Sequence, residues 1–138
     1  MRIMGLDYGA RRIGVAMSDE LFLTAQGSAT IFNNSAQETI AAITKLIEVN
    51  GVVEVIVGLP ISMDGTHSQK TKEVIEFAEN LMKSAPVPVK TWDERLTTRQ
   101  AERALLEADM SRGKRKRLND MVAAQLMLQG YLDHRRKG

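Results

Sequence analysis

Acidic residues occur at three points of the chain where a carboxylate has unusual surroundings. Asp7 lies inside an apolar run near the N-terminus, where a carboxylate loses solvation unless a cation or a hydrogen-bond donor meets it. Asp93 and Glu94 follow a second apolar segment, and Asp120 directly precedes a long apolar stretch. Asp7 and the Asp93–Glu94 pair are also compatible with ordinary turns, and Asp120 with a first helical turn, so only their combination carries weight.

Carboxylates that gather at one edge of a fold repel one another, and a divalent cation is the simplest counter-ion. These acids supply only oxygen ligands, and the chain has no cysteine, which favours Mg²⁺ or Mn²⁺. Two such ions ~3.5–4 Å apart can bind the attacking and leaving oxygens of a phosphodiester during in-line displacement. The acids therefore predict a metal-dependent phosphodiesterase.

The charge distribution points to an anionic partner. Residues 111–138 contain eight Lys and Arg against two Asp, a net charge of +6, whereas the remaining chain carries −4. Such a basic segment is typical of proteins that bind nucleic acid. The alternative is that residues 112–117 form only a solvated loop.

The first third of the chain is predicted to form three strands. Apolar or extended segments cover residues 2–8, 13–18 and about 24–32, and the glycine-containing connection 9–12 is typical of a hairpin. We expect these strands to form an antiparallel meander.

Helices and strands alternate after residue 34. A helix begins after Ser35 with capping-box spacing and ends at Gly51, and the β-branched run 52–57 predicts a central, parallel strand. A second capping box begins at Thr66, and residues 86–92 predict a fifth strand.

Two helices complete the prediction, one capped near Thr97 and one over about 119–133, with Asn119 as its cap and Asp120 in its first turn. The order is then β-β-β-α-β-α-β-α-α. Right-handed crossovers make the later strands parallel to the first. The predicted fold class is therefore α/β, with a mixed five-stranded sheet and helices on both faces. No linker or repeat interrupts the sequence, so we expect one domain over residues 1–138.

Length and composition exclude several classes of protein. The 138 residues suit one domain, and no apolar run reaches the ~20 residues of a membrane span. An acid at position 7 interrupts the N-terminal apolar segment too early for a secretory signal. We therefore expect a cytoplasmic protein without membrane contact, and a homodimer is possible at this size.

The acids fall within four ordered motifs. These are Asp7-Tyr8-Gly9 with Arg12-Ile13-Gly14-Val15-Ala16; Val57-Gly58-Leu59-Pro60 with Met63-Asp64-Gly65-Thr66; Asp93-Glu94-Arg95-Leu96-Thr97; and Asp120. Together they resemble the YqgF/RuvX family, and the resemblance spans essentially the whole chain. The family is similar in fold to RNase H and to the resolvase RuvC. Its members are described as pre-16S ribosomal RNA nucleases or resolvases.

The resemblance implies a catalytic site in which Asp7, Glu94 and Asp120 also bind the Mg²⁺ or Mn²⁺ ion. Glu94 is preferred to Asp93 because resolvase relatives supply a glutamate after this strand, and because Asp93 shares the parity of the apolar strand residues. RuvC-like enzymes carry a fourth acid near the start of their last helix. This chain has Ala123 three residues after Asp120, so a second metal ion would have fewer ligands.

Basic residues next to these segments are expected to contact the nucleic-acid backbone. The segment from Gly58 to Thr66 either binds a phosphate at the start of the following helix or forms a plain turn. The predicted nucleic-acid-binding residues are Arg11, Arg12, Arg95, Lys114, Arg115, Lys116 and Arg117.

Three functions are compatible with the sequence. The first is a nuclease on structured nucleic acid, with 5′-end processing of pre-16S rRNA preferred to resolution of Holliday junctions. The second is a non-catalytic nucleic-acid-binding or ribosome-assembly module. The third, a sugar-kinase or actin-type ATPase, needs two related domains and a second phosphate-binding segment, which a chain of 138 residues does not supply.

Overall fold

The computed structural model describes residues 1–96 and 112–137, with the backbone alone described for 112–119. Three antiparallel strands open the chain: β1 (Arg2–Asp7), β2 (Arg12–Ser18) and β3 (Ala25–Phe32). The expected meander is therefore confirmed. A register shift occurs between Val15 and Ala16, where β2 pairs with β3.

Two helices and two strands follow in the predicted order: α1 (Ala36–Asn50), β4 (Val52–Leu59), α2 (Gln69–Ser84) and β5 (Val89–Asp93). The Ser35 hydroxyl accepts a hydrogen bond from the Glu38 amide at the N-terminus of α1. Gly51 ends that helix with a φ of 62°, a left-handed conformation that costs glycine no Cβ clash.

The start of α2 differs from the prediction. Ser68, not Thr66, caps this helix by accepting a hydrogen bond from the Thr71 amide. Thr66 instead donates its backbone N–H and its hydroxyl to the Asp64 carboxylate, at 3.0 and 2.7 Å. Because an aspartate two residues earlier satisfies Thr66, the helix begins at the next suitable hydroxyl residue.

The last helix, α3 (Arg112–Lys137), also differs from the prediction, because it begins seven residues earlier than Asn119. Asn119 is therefore not its cap, and Asp120 lies well inside the helix. Lys and Arg have good helix propensity, so the basic segment 112–117 continues the helix rather than forming a loop. A short 3₁₀ helix, Glu94–Leu96, follows β5. The helix predicted after Thr97 lies outside the described residues.

The five strands form one mixed sheet in the order β3-β2-β1-β4-β5. The β1–β4 and β4–β5 pairs are parallel, as the right-handed crossovers predicted. As a result, β1, β4 and β5 all end at the same edge of the sheet. The ends of these strands carry the acids of the first and third motifs.

Two hydrophobic cores cover the two faces of the sheet. One lies between the sheet and the helices α1 and α2, and includes Leu6, Val57 and Phe77. The other lies beneath α3 and includes Ile3 and Leu128. Helices therefore pack on both faces, as expected for this fold class.

The α3 helix packs very closely against the sheet. Each of the first four strands has a glycine on the face that α3 covers. These are Gly5, Gly14, Gly27 and Gly58. A Cβ on Gly5 would lie 2.8 Å from the Cβ of Leu128, and one on Gly27 would lie 3.1 Å from that of Met121. These glycines allow the backbone of α3 to approach the strands, which fixes the height of its side chains above the sheet.

No helix within residues 1–96 and 112–137 combines the length and apolar character needed to cross a membrane.

Candidate functional site

Asp7 ends β1 on the face that α3 covers. Side chains alternate along a strand, and Gly5, two residues earlier, faces Leu128 of α3. Asp7 is paired with Gly14 of β2. On the other side, the parallel register with β4 brings Gly58 level with Asp7, one residue beyond the last paired position. Asp7 therefore has a glycine on each neighbouring strand.

Glu94 reaches the same face from the end of β5. A Cβ built on Gly58 would lie 2.5 Å from Glu94 Oε1 and 3.0 Å from Met127 Cγ. The Glu94 carboxylate therefore lies directly over Gly58, between the sheet and α3. The 3₁₀ turn that begins at Glu94 redirects the chain as soon as β5 ends.

Asp120 approaches the sheet from α3. Its backbone carbonyl oxygen would be 2.0 Å from a Cβ on Gly14, so helix and strand touch at this point. Its carboxylate Oδ2 lies 2.9 Å from Nε of Arg12, and about a quarter of the Asp120 side chain is exposed. Arg12 was expected to contact nucleic acid, and here its guanidinium is paired with one of the predicted catalytic acids.

These three positions share one end of one face of the sheet. Gly14 and Gly58 flank Asp7 on adjacent strands, Asp120 lies above the first glycine and Glu94 above the second. Three acids separated by 113 residues of sequence therefore lie around the carboxyl end of β1.

The donor atoms of the site meet the chemical requirements of a divalent cation. The donors are all carboxylate oxygens, which suit a hard ion. Asp120 Oδ2 is shielded from solvent and accepts no hydrogen bond within the described residues, although Arg12 lies beside it. Gly58 leaves space for Glu94. The donor atoms of these residues therefore suit such an ion in their chemistry.

The carboxylates of Asp7, Glu94 and Asp120 do not form a preassembled metal site in this structure. Within residues 1–96 and 112–137, no three His, Cys, Asp or Glu side chains lie close enough together to hold a metal ion. Like charges separate in the absence of a cation, and Asp120 is turned toward Arg12. Binding of a metal ion at this location would therefore require side-chain rotation.

Asp93 belongs to a different interaction. The Arg95 guanidinium donates from Nε and Nη2 to its carboxylate at 2.7–3.1 Å. These hydrogen bonds hold the pKa of Asp93 below its ordinary value of 3.8. Arg95 also donates from Nη1 to the Ser62 carbonyl at 3.5 Å. The pair thus links the end of β5 to the segment between β4 and α2.

That segment has its own internal hydrogen bonds. The amide of Ser62 donates to the Thr66 carbonyl, and Gly65 donates to the Ser62 carbonyl with a φ of 86°. The hydroxyl and amide of Thr66 lower the pKa of Asp64 from its ordinary value of 3.8. Because α2 begins three residues after Thr66, Thr66 belongs to this turn and not to the first turn of the helix.

The remaining predicted binding residues are spread over two regions. Arg11 lies exposed in the turn between β1 and β2. The backbone of residues 114–117 is helical and lies in the first two turns of α3, ahead of Asp120. The basic segment and Asp120 therefore belong to the same helix.

Sequence reasoning missed the roles of Gly14 and Gly58. The signal was present, because an isolated glycine inside a strand marks a close backbone approach. Both glycines lie within the motifs that resemble the family, and their contacts with Asp120 and Glu94 follow only from the fold. They set the distance of Asp120 and Glu94 from the sheet.

The fold is that of the RNase H-like resolvases. T. thermophilus RuvC in complex with Holliday junction substrate matches 100% of this chain and 97% of its own, with a TM-score of 0.63 at 16% identity. The Fowlpox virus resolvase, solved with substrate Holliday junction DNA, covers 97% of this chain and 98% of its own with a TM-score of 0.60 at 12% identity. At these identities the likeness shows the fold alone.

The chain belongs to the RuvX family. The family model described as "RuvX: Holliday junction resolvase" matches residues 1–134. A protein from Halothermothrix orenii, named "Putative pre-16S rRNA nuclease", is 52% identical over 137 residues, which cover 99% of this chain and 98% of that protein. A relative with the same name from Clostridium novyi is 50% identical over 133 residues, covering 96% and 98%. The expected family and fold are confirmed, and both descriptions agree on a nuclease.

Proposed function

We propose that this protein is a divalent-metal-dependent nuclease that processes the 5′ end of pre-16S rRNA in the cytoplasm. The observation that carries the proposal is the arrangement around β1, where Asp7, Glu94 and Asp120 come from three separate elements to one end of one face. The names of relatives near 50% identity supply the substrate.

In this proposal Asp7, Glu94 and Asp120 are the ligands of Mg²⁺ or Mn²⁺. When bound, the metal ion would supply Lewis-acid stabilisation of the phosphodiester and lower the pKa of an attacking water. The chain's own residues provide the frame. Gly14 and Gly58 keep Asp120 and Glu94 near the sheet, and the rigid end of β1 orients Asp7 between them.

The basic residues are proposed to hold the nucleic-acid backbone. Arg11 is exposed in the turn between β1 and β2, and residues 114–117 precede Asp120 on α3. Each phosphate contact releases counter-ions, so binding should weaken as salt rises. In contrast, Arg95 is held by Asp93 and Ser62, and we assign it to positioning the β4–α2 segment against the site.

Resolution of Holliday junctions is the second candidate, favoured by the description of the matching family. The two activities differ in geometry. Symmetric cutting of a junction needs two sites, which a homodimer would supply, whereas trimming one RNA end needs a single site.

One experiment separates the candidates. Purified protein is incubated with a pre-16S rRNA precursor and with a four-way DNA junction, with and without Mn²⁺. We expect Mn²⁺-dependent cleavage of the precursor, whereas cleavage of the junction alone would favour the resolvase. Binding of either molecule without cleavage under every condition would contradict both and indicate a non-catalytic module.

A matched pair of variants identifies the site in that assay. Asp120→Asn removes a proposed metal ligand, while Asp133→Asn removes an equal charge from the same helix, where Asp133 is paired with Arg136 instead. We expect loss of cleavage only for Asp120→Asn. Equal activity of the two variants would exclude Asp120 from the site.

A further inference from the structure

We infer that Arg12 is an exchangeable counter-ion of the site. It is paired with the Asp120 carboxylate in the absence of metal and is displaced when a divalent cation binds. The displaced guanidinium then contacts the substrate phosphate. This inference rests on the proposed function and adds a coupling between the binding of metal and of nucleic acid. It starts from the contact of Arg12 Nε with Asp120 Oδ2 at 2.9 Å.

The Arg12–Asp120 pair is close but poorly bonded. Asp120 Oδ2 is shielded from solvent, yet within the described residues it accepts no hydrogen bond, so the Arg12 N–H is not aligned with it. Arg95 on Asp93 provides the comparison, because it donates several aligned hydrogen bonds at 2.7–3.1 Å. Aligned, bidentate pairs are the strong ones. Of these two Arg–Asp pairs, the one on the proposed metal ligand is therefore the one that can exchange.

Arg12 is also well placed to reach a substrate. About a third of its side chain is exposed, and it is the first residue of β2, next to the exposed Arg11. Guanidinium presents five donors in a planar fork that suits a phosphate as well as a carboxylate. Once released from Asp120, the same group can neutralise the phosphate held at the site.

The exchange predicts a measurable competition. Before a metal ion binds, Arg12 is paired with Asp120 and must be displaced by the incoming cation. Removing the charge of Arg12 should therefore strengthen metal binding. For a partly exposed ion pair, we expect the Mn²⁺ dissociation constant of Arg12→Gln to fall about three- to fivefold. A purely structural arginine would give no change or a weaker affinity.

The first experiment is a calorimetric titration of Mn²⁺ into the purified full chain without nucleic acid. Two variants serve as controls. Arg11→Gln removes a neighbouring charge from the same turn, and Arg136→Gln breaks an ion pair with Asp133 elsewhere on α3. We expect less than about twofold change for either. An equal effect of Arg11→Gln and Arg12→Gln would overturn the exchange, because a general field effect would then suffice.

The second experiment measures the coupling. Anisotropy of a labelled fragment of the pre-16S rRNA precursor gives the nucleic-acid affinity with and without Ca²⁺, a divalent ion that also binds carboxylate oxygens. We expect Ca²⁺ to strengthen binding by the wild type at least about threefold more than binding by Arg12→Gln, because linkage is reciprocal. Identical strengthening in both proteins would overturn the release of Arg12 to phosphate.

The outcomes separate this inference from the proposed function. If the wild type binds Mn²⁺ and Asp120→Asn does not, but Arg12→Gln leaves the affinity unchanged, only the role of Arg12 fails. If the wild type binds no Mn²⁺ at millimolar concentration, both the metal-dependent function and the exchange fail.

Discussion

The backbone carbonyl of Asp120 rests on Gly14, so closely that a Cβ at Gly14 would lie 2.0 Å from the oxygen. Gly14 is also the β2 partner of Asp7. One contact between helix and strand therefore sets the position of one proposed metal ligand relative to another.

We predict that Gly14→Ala displaces α3 and lowers the free energy of unfolding by about 2–3 kcal/mol, since backbone atoms cannot move aside as a side chain can. Urea unfolding measures the change. Gly27→Ala is the control, because its Cβ would meet Met121 at a milder 3.1 Å. If Gly14→Ala is no less stable than Gly27→Ala, the close contact is not an essential feature of the fold.

At Gly58 we predict that substitution affects cleavage more than it affects stability. A Cβ there would lie 2.5 Å from Glu94 Oε1, the end of a flexible side chain, and 3.0 Å from Met127 Cγ. Gly58→Ala should therefore lower the unfolding free energy by no more than about 2 kcal/mol and reduce cleavage about 10–100-fold by moving the carboxylate.

Cleavage rates of Gly58→Ala, Glu94→Gln and the double variant test this explanation. Because both changes act on one carboxylate, their effects should not add. Full additivity would show that Gly58 acts through something other than Glu94.

Alkaline titration tests how α3 is held on the sheet. The Tyr131 hydroxyl donates to Glu54 Oε1 at 2.6 Å, and burial followed by this bond raises the tyrosine pKa to about 12. A group whose pKa is raised from 10.0 on folding adds stability below pH 10, and this contribution is lost as the pH rises toward 12. We expect stability to fall over that range in the wild type and less so in Tyr131→Phe. Unfolding measured at pH 9 and 11 checks this, and an equal pH dependence of both proteins would contradict the assignment.

Much of the fold could be predicted because its signals are local. The β-branched run 52–57 indicated a buried parallel strand, and Ser35 and Gly51 marked the ends of α1 through single hydrogen bonds and one left-handed residue. The start of α2 was predicted wrongly because Thr66 and Ser68 could each cap the helix. Asp64 accepts the hydroxyl of Thr66, which leaves Ser68 as the cap. The start of α3 lies earlier than predicted because a run of like charges resembles a solvated loop, although Lys and Arg have good helix propensity.

The site was less predictable, because it depends on distances between segments. The predicted order of strands and the alternation of side chains along them led us to expect Asp7 and Glu94 at one edge of the sheet. The Arg12–Asp120 pair and the contact of Asp120 with Gly14 join residues about 106–108 positions apart, and no sequence pattern encodes the approach of two backbones.

Asp7, Glu94 and Asp120 are proposed to act as one cation site for phosphodiester cleavage. The most direct measurement is Mg²⁺-dependent cleavage of the pre-16S rRNA precursor by Asp7→Asn, with folding followed by circular dichroism and RNA binding by anisotropy. We predict that cleavage falls about 10³-fold or more while folding and binding persist. Cleavage at the wild-type rate by a folded Asp7→Asn protein would exclude Asp7 from the metal site and contradict the proposed function.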